Sequence, residues 1–72
     1  MIKKGSEVFV EKDFYDLDIE APRELNERVL YYKANKTYVV DHTYNVDGKT
    51  CCVVLAEMGH FYGTSDVKWK ER

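Results

Sequence analysis

The sequence predicts a mainly β fold, a small antiparallel barrel of about five short strands interrupted by one long early loop. Three observations predict it. Runs of β-branched and aromatic residues, such as Thr37-Tyr38-Val39-Val40 and Cys51-Cys52-Val53-Val54-Leu55, recur at strand length. Turn-forming residues separate them, above all Asp47-Gly48, because a two-residue type I′ turn needs positive φ at both central positions. Finally, 72 residues make one small domain, residues 1–72. A chain of that size buries only about 60% of its unfolded surface.

Taken in order, Gly5-Ser6 leads into a first strand, Glu7-Val8-Phe9-Val10-Glu11, with Val8 and Val10 on one face and Phe9 on the other. Lys12 to Arg28 reads as a long, partly ordered loop in which Asp13, Asp16, Asp18, Glu20, Glu24 and Glu27 outnumber the basic residues. Its Phe14-x-x-Leu17-x-Ile19 spacing suits a few extended residues folded back on the barrel. Pro22 to Val29 is expected to wind about two helical turns, since Pro fits a first helical position and Leu25 and Val29 share a face. Val29-Leu30-Tyr31-Tyr32 is a short strand, and Asn35 takes a left-handed turn position.

The central hairpin spans Thr37 to Glu57. A two-residue loop at Asp47-Gly48 pairs Val46 with Lys49, Tyr44 with Cys51, His42 with Val53, Val40 with Leu55 and Tyr38 with Glu57. That face is the more apolar and so the expected core side. Asn45 with Thr50, Thr43 with Cys52, Asp41 with Val54 and Val39 with Ala56 form the mixed face, which puts Cys51 inside and Cys52 outside. After a turn at Met58-Gly59-His60, Phe61-Tyr62-Gly63 makes a strand, Thr64-Ser65-Asp66 a 3₁₀ turn and Val67-Lys68-Trp69 the last strand. About five strands, a long early loop and a 3₁₀ turn before the last strand is the element order of an SH3-like barrel.

Through Asn35-Lys36-Thr37-Tyr38-Val39-Val40, Asp47-Gly48, Val53-Val54-Leu55-Ala56-Glu57-Met58-Gly59 and Tyr62-Gly63-Thr64-Ser65-Asp66-Val67-Lys68, the chain resembles the small SH3-like barrel proteins of phages and mobile elements. Their pattern runs G-K-x-Y-x-V, a D-G hairpin, L-x-E and a closing F-[RK]. The resemblance covers residues 5–10 and 35–69 and departs from the pattern at Asn35, where Gly is usual, and at Val67, where Phe is usual. Asn tolerates the left-handed region and Val still buries, so both departures are physically mild. What the resemblance implies is a fold and no activity, because SH3-like barrels host unrelated functions.

Composition narrows the function classes. Eleven basic against thirteen acidic residues give a net charge of −2, without the basic footprint that phosphate-backbone binding requires, so nucleic acid is a disfavoured partner. No apolar run approaches the roughly 18 residues that span a bilayer, and Met1-Ile2-Lys3-Lys4-Gly5 lacks an apolar segment behind its lysines, so no membrane partner and a cytoplasmic location are expected. Cys51 and Cys52 are adjacent and close no loop; with His42 and His60 they lack the spacing of a metal site. His42 reads as a part-buried histidine bonded to backbone. No Gly-rich phosphate loop, H-E-x-x-H or local nucleophile signature is present, so neither an enzyme nor a metal or other cofactor is expected.

Protein or peptide binding fits best. The early loop interleaves acids with large apolar residues, and loops on rigid scaffolds commonly carry recognition. Asp13, Phe14, Tyr15, Asp16, Asp18 and Glu20 are the candidate contact residues, with the neighbouring aromatics Tyr62 and Trp69. A sharper version has the acidic loop mimic a phosphate backbone and block a basic site on a host protein. The competing structural role is that Phe14, Leu17 and Ile19 only cap the barrel. The alternative function is weak nucleic-acid binding through Lys33, Lys36, Lys68, Lys70 and Trp69. Residues 29–72 carry six basic and five acidic residues, close to neutral.

Overall fold

Asp47 and Gly48 both adopt positive φ, 49° and 79°, so the central hairpin turns as its residue types demand. In the computed structural model, which describes residues 1–72, this hairpin joins β4 (Tyr38–Val46) to β5 (Lys49–Leu55). The remaining strands are β1 (Glu7–Phe9), β2 (Phe14–Leu17), β3 (Arg28–Tyr32), β6 (Phe61–Thr64) and β7 (Lys70–Glu71). Five strands form one antiparallel sheet in the order β6-β5-β4-β1-β7, and β2 and β3 form a separate antiparallel hairpin. The fold is therefore mainly β, as expected. The terminal strands β6 and β7 are not bonded to each other, so the sheet does not close into a barrel.

The expected register holds from the turn back to His42 and Val53 and then slips. A bulge at Asp41 lets Val40 pair with Val54 in place of Leu55. One extra residue in a strand turns every side chain beyond it to the other face. Tyr38 and Val40 therefore share a side with Cys52 and Val54, while His42 and Tyr44 share one with Val53 and Cys51. This corrects the expected facing: Cys52, not Cys51, belongs to the core cluster. Cys51 is buried too, on the opposite face beside Tyr44, and both thiols are free.

Other local expectations change for equally local reasons. The early loop does hold the extended residues expected from its Phe14-x-x-Leu17-x-Ile19 spacing, Phe14–Leu17 forming β2, but they pair with β3 as a separate hairpin. The helix expected after Pro22 is one 3₁₀ turn, Arg23–Leu25, ended by Asn26 in the left-handed region at φ 51°. At Thr64-Ser65-Asp66 the chain makes a turn without a 3₁₀ helix, and the Asp66 N–H donates to Thr64 Oγ1 at 3.2 Å. Val67 and Trp69 pack inward and do not pair, so the last strand is Lys70–Glu71, bonded to β1.

The core gathers Val8 and Val10, Tyr31 and Tyr32 from β3, Tyr38 and Val40, Cys52, Val54 and Ala56, and Val67. Fully buried side chains such as Val8, Val40 and Val54 each contribute about 1.5–3 kcal/mol relative to exposure. The tyrosines bury their rings and still satisfy their hydroxyls. Tyr32 O–H donates to the Val54 carbonyl at 2.7 Å; Tyr38 O–H donates to Glu57 Oε2 and accepts the Lys33 N–H, both at 2.8 Å. Burial pushes the Tyr38 phenol up to about 12 and raises that of Tyr32 as well.

Candidate functional site

Alternation along β2 sends Phe14 and Asp16 inward and Tyr15 and Leu17 outward. Phe14 packs against Tyr31, Tyr32 and Tyr62, with ring centroids 6.2 to 6.4 Å apart. Asp16 accepts the hydroxyl of Tyr62 and also the Leu17 N–H, at 2.7 Å. Burial first, and then this bond to Asp16, hold the Tyr62 phenol neutral to well above its ordinary range. Beyond β2 the acids shape the loop. Asp13 Oδ1 accepts the Ala34 N–H at 2.7 Å, Asp18 Oδ1 accepts the Glu20 N–H at 3.0 Å, and Glu20 meets His60 Nε2 at 2.9 Å.

Most of the polar candidates are thus already engaged within the chain. Asp13, Asp16, Asp18 and Glu20 hold the hairpin's shape or pin it to the sheet. Phe14 and Tyr62 are part-buried packing residues. Tyr15 remains exposed. Trp69 stands apart from this group: it packs edge-on against Tyr32 and Tyr38, at 4.7 and 5.7 Å, and its buried indole N–H has no hydrogen-bond acceptor.

What the hairpin presents outward is its tip. Leu17, Ile19 and Leu25 are exposed there. Leu17 and Ile19 border a depression of about 330 Å³ that Ala21 and Pro22 and the polar Asp18, Arg23, Asn26 and Glu27 also line. The tip is braced from within, since Asp18 N–H donates to the Glu27 carbonyl at 2.9 Å and Tyr31 O–H to the Leu17 carbonyl at 2.7 Å. Pro22, Arg23, Leu25 and Asn26 were not among the candidates. The signal that could have placed them was the pairing of Phe14–Leu17 with the strand after Arg28, which leaves residues 18–27 as a tip.

The basic candidates are partly neutralised. Lys36 Nζ lies 2.6 Å from Glu57 and Lys70 Nζ 2.9 Å from Glu11. Glu57 is held below its ordinary value, first by the Lys36 bond and then by that from Tyr38. His42 corrects an expectation: it is more than half exposed and its Nδ1 lies 2.8 Å from Asp41, a side chain rather than backbone. The histidines and cysteines are not gathered with carboxylates into any group of three or more ligands, and no helix is long and apolar enough to cross a membrane. Comparison with family models, curated proteins and solved structures finds no match to the chain.

Proposed function

We propose that this chain is a small non-catalytic protein-interaction module of SH3-like topology, akin to the small barrels of phages and mobile elements and acting in the cytoplasm, and that it contacts a protein or peptide through the tip of the β2–β3 hairpin. The topology supports the SH3-like part. A meander of β4, β5 and β6 is joined by β1 between β4 and β7, the hairpin is inserted between β1 and β4, and β4 carries a bulge. The observation that carries the functional part is the division of labour in the hairpin: its inward side chains are spent on anchoring, while Leu17 and Ile19 stay exposed on a preformed depression and Leu25 is exposed on the same tip. Contiguous exposed apolar residues rimmed by charge mark interaction sites. With Asp18, Glu24 and Glu27 nearby, the fitting partner is a basic segment that offers one apolar side chain.

The test is photo-crosslinking from Ile19 in the native host, beside the same label at Val46 on the far hairpin. A protein captured from Ile19 and lost with Leu17→Ser and Leu25→Ser supports the reading, and capture that is indifferent to these changes rejects it. Nucleic-acid binding is the weaker alternative, since two of its lysines are paired. It would show itself as affinity that falls linearly in log salt.

A further inference from the structure

The two edges of the five-stranded sheet are finished differently. β7 is two residues long and both, Lys70 and Glu71, are charged, which are common means of stopping an edge from pairing with another chain. β6 has neither safeguard. Phe61-Tyr62-Gly63-Thr64 holds no charge and no proline, and its ladder with β5 is regular throughout. The Ala56 N–H donates to the His60 carbonyl at 2.8 Å, which sets the parity of that ladder. Tyr62 and Thr64 face β5, and the N–H and C=O groups of Phe61 and Gly63 point away from it. No other strand pairs along that side. The Tyr44 hydroxyl bonds the Gly63 carbonyl at 3.0 Å, and a carbonyl keeps a second lone pair.

The outer face leading to this edge is apolar. Val40 pairs with Val54, which brings Val39 alongside Leu55, and Leu55 pairs with Phe61. These three form a row across three strands and are 57%, 47% and 60% exposed. We propose that β6 is the interface of a homodimer, pairing antiparallel with β6 of a second copy about a two-fold axis at Tyr62. The strand is self-complementary in that arrangement. Its two outward-bonding residues are one large and one without a side chain, so each Phe61 comes opposite the other copy's Gly63, beside the Tyr44 ring. No charge on the edge opposes its own copy, and a net charge of −2 adds little repulsion.

The test is sedimentation equilibrium with residue-resolved amide exchange, from about 1 μM to about 1 mM chain. The expected result is a doubling of mass over that range, with exchange at the Phe61 and Gly63 amides slowed at least about tenfold at the high end. Phe61→Glu should restore the monomer with unchanged circular dichroism, and Ile19→Ser at the hairpin tip should leave the dimer intact. A monomer throughout, with those two amides exchanging at one rate, overturns the proposal. So does a dimer that survives Phe61→Glu or leaves both amides unprotected, and so does a monomer that takes a different protein on this edge. If Phe61→Glu does not fold, exchange in the unaltered chain decides alone.

Discussion

The Tyr62 hydroxyl donates to the Asp16 carboxylate, joining β6 to the inward face of β2 across 46 residues of chain. The bond lies beside the Tyr31 ring, 4.3 Å from that of Tyr62. It is the polar pin of a contact whose apolar part is Phe14. Hydrogen bonds to a charged group are worth about 1.5–3 kcal/mol when sheltered, and Asp16 is only part-buried, so Tyr62→Phe should cost about 1–2 kcal/mol. At roughly 4–8 °C per kcal/mol for a domain of this size, the melting temperature should fall by about 4–16 °C. Asp16→Asn should cost less, because the single amide oxygen can still accept the Leu17 N–H while the amide N–H donates to the Tyr62 oxygen. A Tyr62→Phe melt indistinguishable from the parent would show that this bond adds nothing to the docking of the hairpin by Phe14, Tyr31 and Tyr32.

The cysteines separate by face. Cys52 lies in the core with Val54 and Tyr32, and burial raises its thiol. Cys51 lies under the outer face beside Tyr44. A buried hydroxyl without a partner costs about 1–3 kcal/mol, so Cys52→Ser should approach that range, while Cys51→Ser keeps the nearby Tyr44 hydroxyl and water as partners and should cost less. Urea midpoints of the two variants check the order. A reversed order would mean that the β4 bulge is misplaced.

That bulge marks the limit of what the sequence discloses. The Asp47-Gly48 turn, the strand Val29–Tyr32 with Arg28 added, the left-handed Asn35 and the edge strand at Phe61 are local consequences of residue type, and all are legible. Asp41 is different. A charged residue within an alternating strand reads equally well as an outward position or as the extra residue of a bulge, and the choice depends on how Val40 packs against Val8 and Val54. The hairpin tip was half legible for a similar reason. Its acids announce a solvated loop, but which carboxylate finds Ala34, Tyr62 or His60 depends on where the sheet places those groups.

Alkaline pH should unfold the chain cooperatively with tyrosine ionisation. Burial is the leading cause of the raised phenols at Tyr31, Tyr32, Tyr38 and Tyr62. A raised value favours the neutral phenol in the fold, so this contribution is complete below the ordinary value of 10.0 and, for Tyr38, is lost as pH rises toward about 12. Absorbance at the tyrosinate band should therefore lag at first and then rise together with loss of the β circular-dichroism signal. Early, gradual ionisation of all the phenols with the β signal intact would contradict the buried aromatic core.

The hairpin provides the sharpest division between anchoring and presenting side chains. Asp13 accepts the Ala34 N–H at 2.7 Å and so ties the start of β2 to the turn after β3. Asp13→Ala should lower stability by about 0.5–1.5 kcal/mol, the net worth of a typical hydrogen bond. Leu17, Ile19 and Leu25 are exposed, and changing them together to serine should leave stability within about ±0.5 kcal/mol for each site. The two variants should then differ in the opposite sense in partner capture. Asp13→Ala, measured well below its melting temperature, should retain the partner captured from Ile19, because the tip depression lies at the other end of β2. The triple serine variant should melt with the parent and lose the partner. If the triple variant instead loses several kcal/mol, the three side chains cap the fold, and the tip is a structural element rather than a contact surface.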